Sequence, residues 1–258
     1  MNNLILLLYP GINILVTGLF AGVVLRQYAQ RHRMYQLYWG IALFMAFVAT
    51  LAYTSMILVQ PTSNTGVLFF RLYYILGAAL MPSWLGLGSI ALVARAHITR
   101  ICLVVLCALS LLAALLISLA GIDRQQLSQI VGTPGAGILQ PQLGAWLITI
   151  IVMNTLGVLA VVGVAIYSAW KLIQRQATSS LLWANVLILG GDLINATAGT
   201  TARLGVKNIF WLVMTLGWIV FFFGVLLASS PRRHAPTAKR DEQEKKVDAR
   251  HSTSSALR

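Results

Sequence analysis

Long apolar runs separated by short polar loops occupy the first 229 residues of this chain. A helix that crosses the hydrocarbon core of a bilayer needs about 20 apolar residues, at about 1.5 Å per residue. The pattern predicts seven such spans, at residues 4–25, 36–59, 67–94, 98–120, 143–170, 181–204 and 208–229. We therefore predict an all-α integral membrane protein with a seven-transmembrane-helix bundle in residues 1–229.

The sixth predicted span differs from the others because polar residues recur along one of its faces. At 100° per residue, Asn185, Asp192, Asn195, Gly199 and Arg203 fall within an arc of roughly 80°. Asp192 is the only acidic residue within the predicted spans. An ionisable group at the centre of a bilayer costs at least about 2.5 to 3.5 kcal/mol. We therefore expect this polar stripe to face other helices or a wet cavity.

Composition narrows the class of protein further. Hydrophobic residues make up 58% of the chain and charged residues only 10%, with a mean hydropathy of +0.80. Soluble globular domains carry about a quarter charged residues, so this class is excluded. The net charge of +13 is spread over short loops and a tail instead of lining one face, which argues against nucleic acid as a partner. Residues 230–258 are predicted to form a disordered, basic cytoplasmic tail that lies near anionic lipid.

The distribution of Lys and Arg predicts the orientation. Fifteen of the 19 basic residues fall in the tail or in the loops after spans 1, 3 and 5, and only four fall on the other side. Cytoplasmic loops carry the excess of positive charge. We predict a multi-pass protein of the bacterial plasma membrane, with its amino terminus outside and its carboxyl terminus in the cytoplasm.

A faint internal repeat relates the two halves of the predicted bundle. Residues 13–39 and 154–183 each run from an Asn to a Trp that opens the next span, and LYYILG at 72–77 matches LVMTLG at 212–217. Spans 1 to 3 and 5 to 7 would then be parallel copies, with span 4 as a linker. This 3+1+3 arrangement is a hypothesis about the fold.

Asp192 is the main candidate for ligand binding, and three interpretations stay open. It is a proton or cation site, the ion-pair partner of an arginine, or a protonated acid that binds a neighbouring carbonyl. Asn195, Asn154 and Asn13 are predicted to add amides to the same polar interior. A simple hydrogen bond between helices, with no ligand, is the alternative for all of them.

Two arginines near the outer boundary are further candidates. Arg71 opens span 3 and Arg203 ends span 6, so both could form an anion-friendly vestibule above Asp192. Alternatively, each guanidinium reaches water while its stem lies along apolar surface. All four histidines lie in predicted loops or the tail, so we expect no metal site, no cofactor and no enzymatic activity.

Two segments are expected to be irregular. Pro82 should kink span 3 and free a backbone carbonyl, with Ser83 placed to satisfy it or to line a gap. The outer loop at 121–142 contains Pro134, Gly135, Gly137 and Pro141, which is typical of an irregular segment. We favour a plain connector for this loop over a cover for a pocket.

Spans 2 and 3 together resemble the seven-helix amino-terminal sensor region of bacterial histidine kinases. The resemblance lies in Arg71, Tyr74 and Gly77, followed by Pro82 and Trp84. It implies an amino-out bundle that binds a small or lipidic ligand and passes a shift to the cytoplasm. Residues 230–258 contain no kinase or dimerisation sequence, and we expect a sensor of this kind to signal through a separate protein.

These observations leave three classes of function. The leading hypothesis is a non-enzymatic sensor or receptor whose polar cavity binds a small molecule or ion. The second is a small-solute or proton-coupled carrier with repeated halves. The third is an accessory subunit of a membrane complex, whose partner would be another membrane protein.

Overall fold

The computed structural model describes residues 3–174, 179–204 and 209–229 of the 258-residue chain. The predicted disordered tail at 230–258 lies outside the described residues. Within them, the chain is almost entirely helical, as the hydropathy pattern predicts.

All but two of the secondary-structure elements in the described residues are helices. The elements are α1 (Asn3–Arg31), α2 (Met34–Leu58), α3 (Asn64–Tyr73), a π-helix (Tyr74–Leu80), α4 (Met81–Val93), α5 (Ala96–Leu119), β1 (Gly121–Ile122), α6 (Arg124–Leu127), β2 (Leu139–Gln140), α7 (Ala145–Gln174), α8 (Ser179–Arg203) and α9 (Phe210–Ser229). The two short strands are antiparallel, with Gly121 opposite Gln140 and Ile122 opposite Leu139.

Six of the described helices are long and apolar enough to cross a membrane. They are α1, α2, the continuous helix from Asn64 to Val93, α5, α7 and α9. This architecture is that of an all-α, multi-pass membrane bundle. The helix α8 has 25 residues, the same length as α2, but polar residues recur along it and it is not among the six.

Glycines allow α4 to approach α7 closely, and α8 to approach α9. A Cβ atom added to Gly86 of α4 would lie 2.8 Å from the Cα of Gly157 in α7. A Cβ on Gly191 of α8 would lie 2.7 Å from the Cβ of Phe221 in α9. Lipid supplies no hydrophobic drive for helix association, so close packing of this kind is what joins membrane helices.

Aromatic side chains fill the centre of the bundle in two groups. Tyr53, Tyr73 and Trp211 lie in the first, where the ring centroids of Tyr53 and Trp211 are 4.5 Å apart. Phe20 and Trp218 lie in the second, with ring centroids 6.4 Å apart. By contrast, the apolar side chains of α5 are largely exposed, as expected of a helix that faces lipid.

Candidate functional site

A cavity of about 500 Å³ lies inside the bundle. Its wall comes from α2, α3, the π-helix, α4, α7, α8, α9 and the loop between the two strands. Most of the wall is alanine, methionine, isoleucine and aromatic side chains. The cavity is therefore an apolar space with a few polar groups in fixed positions.

The π-helix brings part of this wall into place. In an α-helix the carbonyl of Ala78 would accept a hydrogen bond from residue 82, but Pro82 has no N–H. The side-chain amide of Asn154 in α7 donates to this carbonyl at 3.0 Å. Ser83, which the sequence places to satisfy this carbonyl or to line a gap, donates to the carbonyl of Met153 at 2.9 Å. Both bonds fix the irregular part of the third span against α7.

Asp192 lies on the cavity wall at the middle of α8. Only 6% of the residue is exposed, and its Oδ2 atom is buried without a hydrogen-bond partner. Across residues 3–174, 179–204 and 209–229, no hydrogen bond or ion pair involves this carboxyl group. An unpaired polar group in an apolar interior costs several kcal/mol. Asp192 is thus a buried acid of the site without a partner among the described residues.

Asn195 lies one turn beyond Asp192 and also lines the cavity. Its Oδ1 atom is buried without a partner and packs against Gly217 of α9, in the space that a Cβ atom would fill. Gly199, one further turn along, is on the wall too. The helical stripe predicted from sequence therefore places three of its members along one cavity.

The loop between α5 and α7 covers one end of the cavity. Pro134 and Ala136 of this loop line the wall. The Tyr73 hydroxyl donates to the Pro134 carbonyl at 3.2 Å, and the Tyr53 hydroxyl donates to the Ile130 carbonyl at 3.0 Å. The sequence favours a plain connector here, whereas in the structure this loop covers the cavity. We call residues 121–142 the cap.

Two other predicted site residues, Asn13 and Arg71, are not part of the described wall of the cavity. Asn13 is 1% exposed in α1, and neither polar atom of its amide has a partner among the described residues. Arg71 is half buried and donates from Nη2 to the carbonyl of Ala120, at 3.2 Å. This carbonyl follows the end of α5, where unpaired carbonyls attract cations. Arg203 ends α8, and its side chain lies outside the described part of the chain.

The predicted site residues include none of the aromatic side chains of the wall, although Tyr74 is part of the resemblance to sensor regions. Tyr73, Tyr74, Trp211 and Trp218 all line the cavity. Tyr73 and Tyr74 follow Arg71 in the sequence, and two adjacent tyrosines in a span are the only sequence signal for them. The helix that carries Trp211 and Trp218 is apolar on all sides, so no face of it stands out.

Comparisons with protein-family models, curated proteins and solved structures gave no match to this chain. The site is therefore interpreted from its own geometry. A concave, mostly apolar wall with a single carboxyl group is suited to binding a small molecule and orienting one end of it.

Proposed function

We propose that this chain is a seven-helix membrane protein that binds a small molecule in the bundle cavity and acts as a non-enzymatic sensor. The observation that carries the proposal is the cavity of about 500 Å³ with a buried, unpartnered carboxyl group on its wall. Ligand sites are typically cavities of about 300 to 1,000 Å³, lined mainly by apolar and aromatic groups with a few polar ones.

The proposal of seven crossings rests on α8. At about 1.5 Å per residue its 25 residues extend about 37 Å, more than the hydrocarbon core of about 30 Å. Ionisable residues in spanning helices face the interior of a bundle, and Asp192 lies on the cavity wall. With seven crossings, the distribution of basic residues would place the cap outside and the carboxyl terminus in the cytoplasm. The 3+1+3 repeat stays a prediction.

The packing behind the cavity offers a path by which a bound ligand could act on other helices, as a sensor requires. Trp218 lines the cavity, and its ring contacts those of Phe20 and Phe221 at centroid distances of 6.4 and 6.1 Å. A ligand beside Trp218 would therefore alter the packing of α1 and of the carboxyl-terminal half of α9. We propose that a separate cytoplasmic protein responds to this change in helix packing.

The experiment compares the full chain with two tryptophan variants of α8. Ala196 lines the cavity, so Ala196→Trp fills it, whereas the neighbouring Thr197 is exposed and Thr197→Trp is the control. Each protein is purified in nanodiscs made from cell membrane, and bound small molecules are identified by mass spectrometry. We expect a compound enriched with wild type and with Thr197→Trp but depleted with Ala196→Trp. Equal extracts from all three proteins would contradict the proposal.

Transport is measured with the compound so identified. The sensor proposal predicts no counterflow of this compound in proteoliposomes. Counterflow that Ala196→Trp abolishes and Thr197→Trp retains would assign the chain to the carriers instead.

A further inference from the structure

Assuming the ligand-binding function proposed above, we infer that the occupant of the cavity is an organic ammonium compound, with its cationic nitrogen at Asp192 and its apolar or aromatic body against the tyrosine and tryptophan side chains. Four observations lead to this class of ligand: the charge of the wall, its hydrogen-bond inventory, its aromatic content and its volume.

The wall carries one acidic side chain. Of the described residues that line the cavity, Asp192 is the only one that is ionisable to a charge near neutral pH, and none is lysine, arginine or histidine. The described residues of the wall thus supply an acid to this space and no base. A buried carboxylate is stabilised mainly by a partner of opposite charge, and a cationic ligand would provide one.

Several polar side chains of the wall already use their donors within the protein. Four side chains of the wall already donate to backbone carbonyls. They are Thr50, Tyr73, Asn154 and Thr200, with donor to acceptor distances of 2.9, 3.2, 3.0 and 3.1 Å. The Oδ1 atoms of Asn154 and Asn195 are themselves acceptors without partners. The Nε1 atom of Trp211 is a buried donor without a partner on the same wall, so the described wall offers three unpartnered acceptor atoms, counting Asp192 Oδ2, and one unpartnered donor. A ligand group with several N–H donors fits this surplus of acceptors.

The aromatic wall suits a cation that carries an apolar body. Tyr73, Tyr74, Trp211 and Trp218 line the same cavity as Asp192. An ammonium within about 6 Å of such a ring is attracted by its negative face, more strongly when water is excluded. The rings and the surrounding alkyl groups cover the rest of the molecule, which an apolar body favours.

An inorganic cation fits the site less well. Calcium takes six to eight oxygen ligands and magnesium takes six in near-octahedral geometry. The cavity offers a single carboxyl group, and most of its wall is carbon. A volume of about 500 Å³ also exceeds what one ion with a few waters would need.

The experiment uses three probes that share one ring system and differ in the head group. Tryptamine carries an ammonium, tryptophol a hydroxyl and indole-3-acetate a carboxylate. Binding to the full chain in nanodiscs is measured by calorimetry, for wild type, Asp192→Asn, Asp192→Glu and the Thr197→Val control on the exposed side of α8. Size-exclusion profiles establish that each variant is folded before it is titrated.

We expect wild type, Thr197→Val and Asp192→Glu to bind tryptamine in preference to the other two probes. Asp192→Asn should bind tryptamine at least about 30-fold more weakly, which corresponds to the lower end of the loss from removing one partner of a buried charge pair. Tryptophol should bind wild type and Asp192→Asn about equally, because its hydroxyl needs no counter-charge.

Several results would overturn the inference. If tryptophol or indole-3-acetate binds wild type as tightly as tryptamine, or if Asp192→Asn retains tryptamine, the cavity binds small molecules but does not select cations. If sodium chloride alone gives a heat of binding that Asp192→Asn abolishes, and tryptamine gives none, the carboxyl group serves a metal cation. If no probe binds while the extraction identifies a compound without an ammonium group, only this inference fails and the proposed function stands.

Discussion

Replacing Tyr53 with phenylalanine would weaken the attachment of the cap to the bundle through the loss of one oxygen atom. The Tyr53 side chain is fully buried, and its hydroxyl has two roles in the cap. It donates to the carbonyl of Ile130 at 3.0 Å and accepts from the N–H of Gly132 at 3.0 Å. Tyr53→Phe removes both hydrogen bonds and keeps the ring that packs on Trp211.

The two lost hydrogen bonds are not equal in cost. The Ile130 carbonyl also accepts from the backbone N–H and the hydroxyl of Thr133, at 2.8 and 3.0 Å, so it keeps partners in the variant. The buried N–H of Gly132 loses the partner that Tyr53 provides. A buried donor without a partner costs about 1 to 3 kcal/mol, and we expect the cap to be destabilised by this amount.

Hydrogen exchange of the cap peptides in nanodiscs measures this change. If residues 121–142 open as a unit, about 1 to 3 kcal/mol corresponds to a roughly 5-fold to 150-fold faster exchange. The matched control is Tyr167→Phe, because that ring is 53% exposed near the end of α7 and far along the helix from the cap. We expect the control to leave exchange of the cap unchanged.

Two results would refute this reasoning about the cap. Unchanged exchange of residues 121–142 in Tyr53→Phe would mean that the hydroxyl does not hold the cap. An equal acceleration in all helices would mean that the substitution loosens the whole bundle. Tyr73→Phe is a useful comparison, because it removes one donor from the Pro134 carbonyl and leaves no N–H without a partner. It should accelerate exchange of the cap less than Tyr53→Phe does.

Three further predictions follow from the packing and the proposed topology. Gly157→Leu should lower the free energy of unfolding of the bundle by several kcal/mol in a denaturant titration, because its Cβ would lie 2.5 Å from a carbonyl oxygen of α4. The control is Gly163→Leu on the same helix, which meets open space and should be nearly neutral. Ser83→Ala should cost only about 0.6 kcal/mol in the same titration, the average for a hydrogen bond between membrane helices. The crossing by α8 is tested with single cysteines at Gln174 and Leu204, introduced after the native cysteines are replaced. If α8 crosses the membrane, the two cysteines should react with an impermeant maleimide from opposite sides. Labelling of both from the same side would contradict seven crossings.

The helices could be predicted because hydropathy alone determines where a chain can enter a bilayer. The predicted span at 98–120 corresponds to α5 at Ala96–Leu119, and the structure differs there by one or two residues. The first span was predicted to end at residue 25, but α1 continues to Arg31. The extra turns carry polar and basic residues, which a search for apolar runs leaves out although they continue the helix.

The polar part of the site was predictable from helical periodicity. Asp192 and Asn195 are separated by three residues, so any helix places them on one side, and a bilayer requires that side to face inward. Asn154 followed from the same argument about amides within spans. These three residues line the cavity together. Asn13 met the same criterion and lies elsewhere in the bundle, because the sequence does not say which helices are neighbours.

The remaining parts of the site depend on tertiary contacts that leave no local pattern. The cap residues Pro134 and Ala136 reach the cavity only because Tyr53 and Tyr73 hold their loop from other helices. Similarly, Arg71 binds the carbonyl of Ala120, a residue 49 positions away in sequence. Neither contact could be predicted from the spacing of residues along the chain.

The π-helix at Tyr74–Leu80 has a geometric consequence for every residue that follows it in the third span. Each backbone N–H there reaches back five residues instead of four, so the segment holds one more residue than an α-helix of the same height. One residue corresponds to about 100° of rotation about the helix axis. Deleting a residue from this segment would therefore turn Met81, Pro82 and Leu85 away from the cavity that they now line together with Tyr74. The shape of the cavity thus depends on the rotation that the π-helix introduces between the two α-helical parts of the third span.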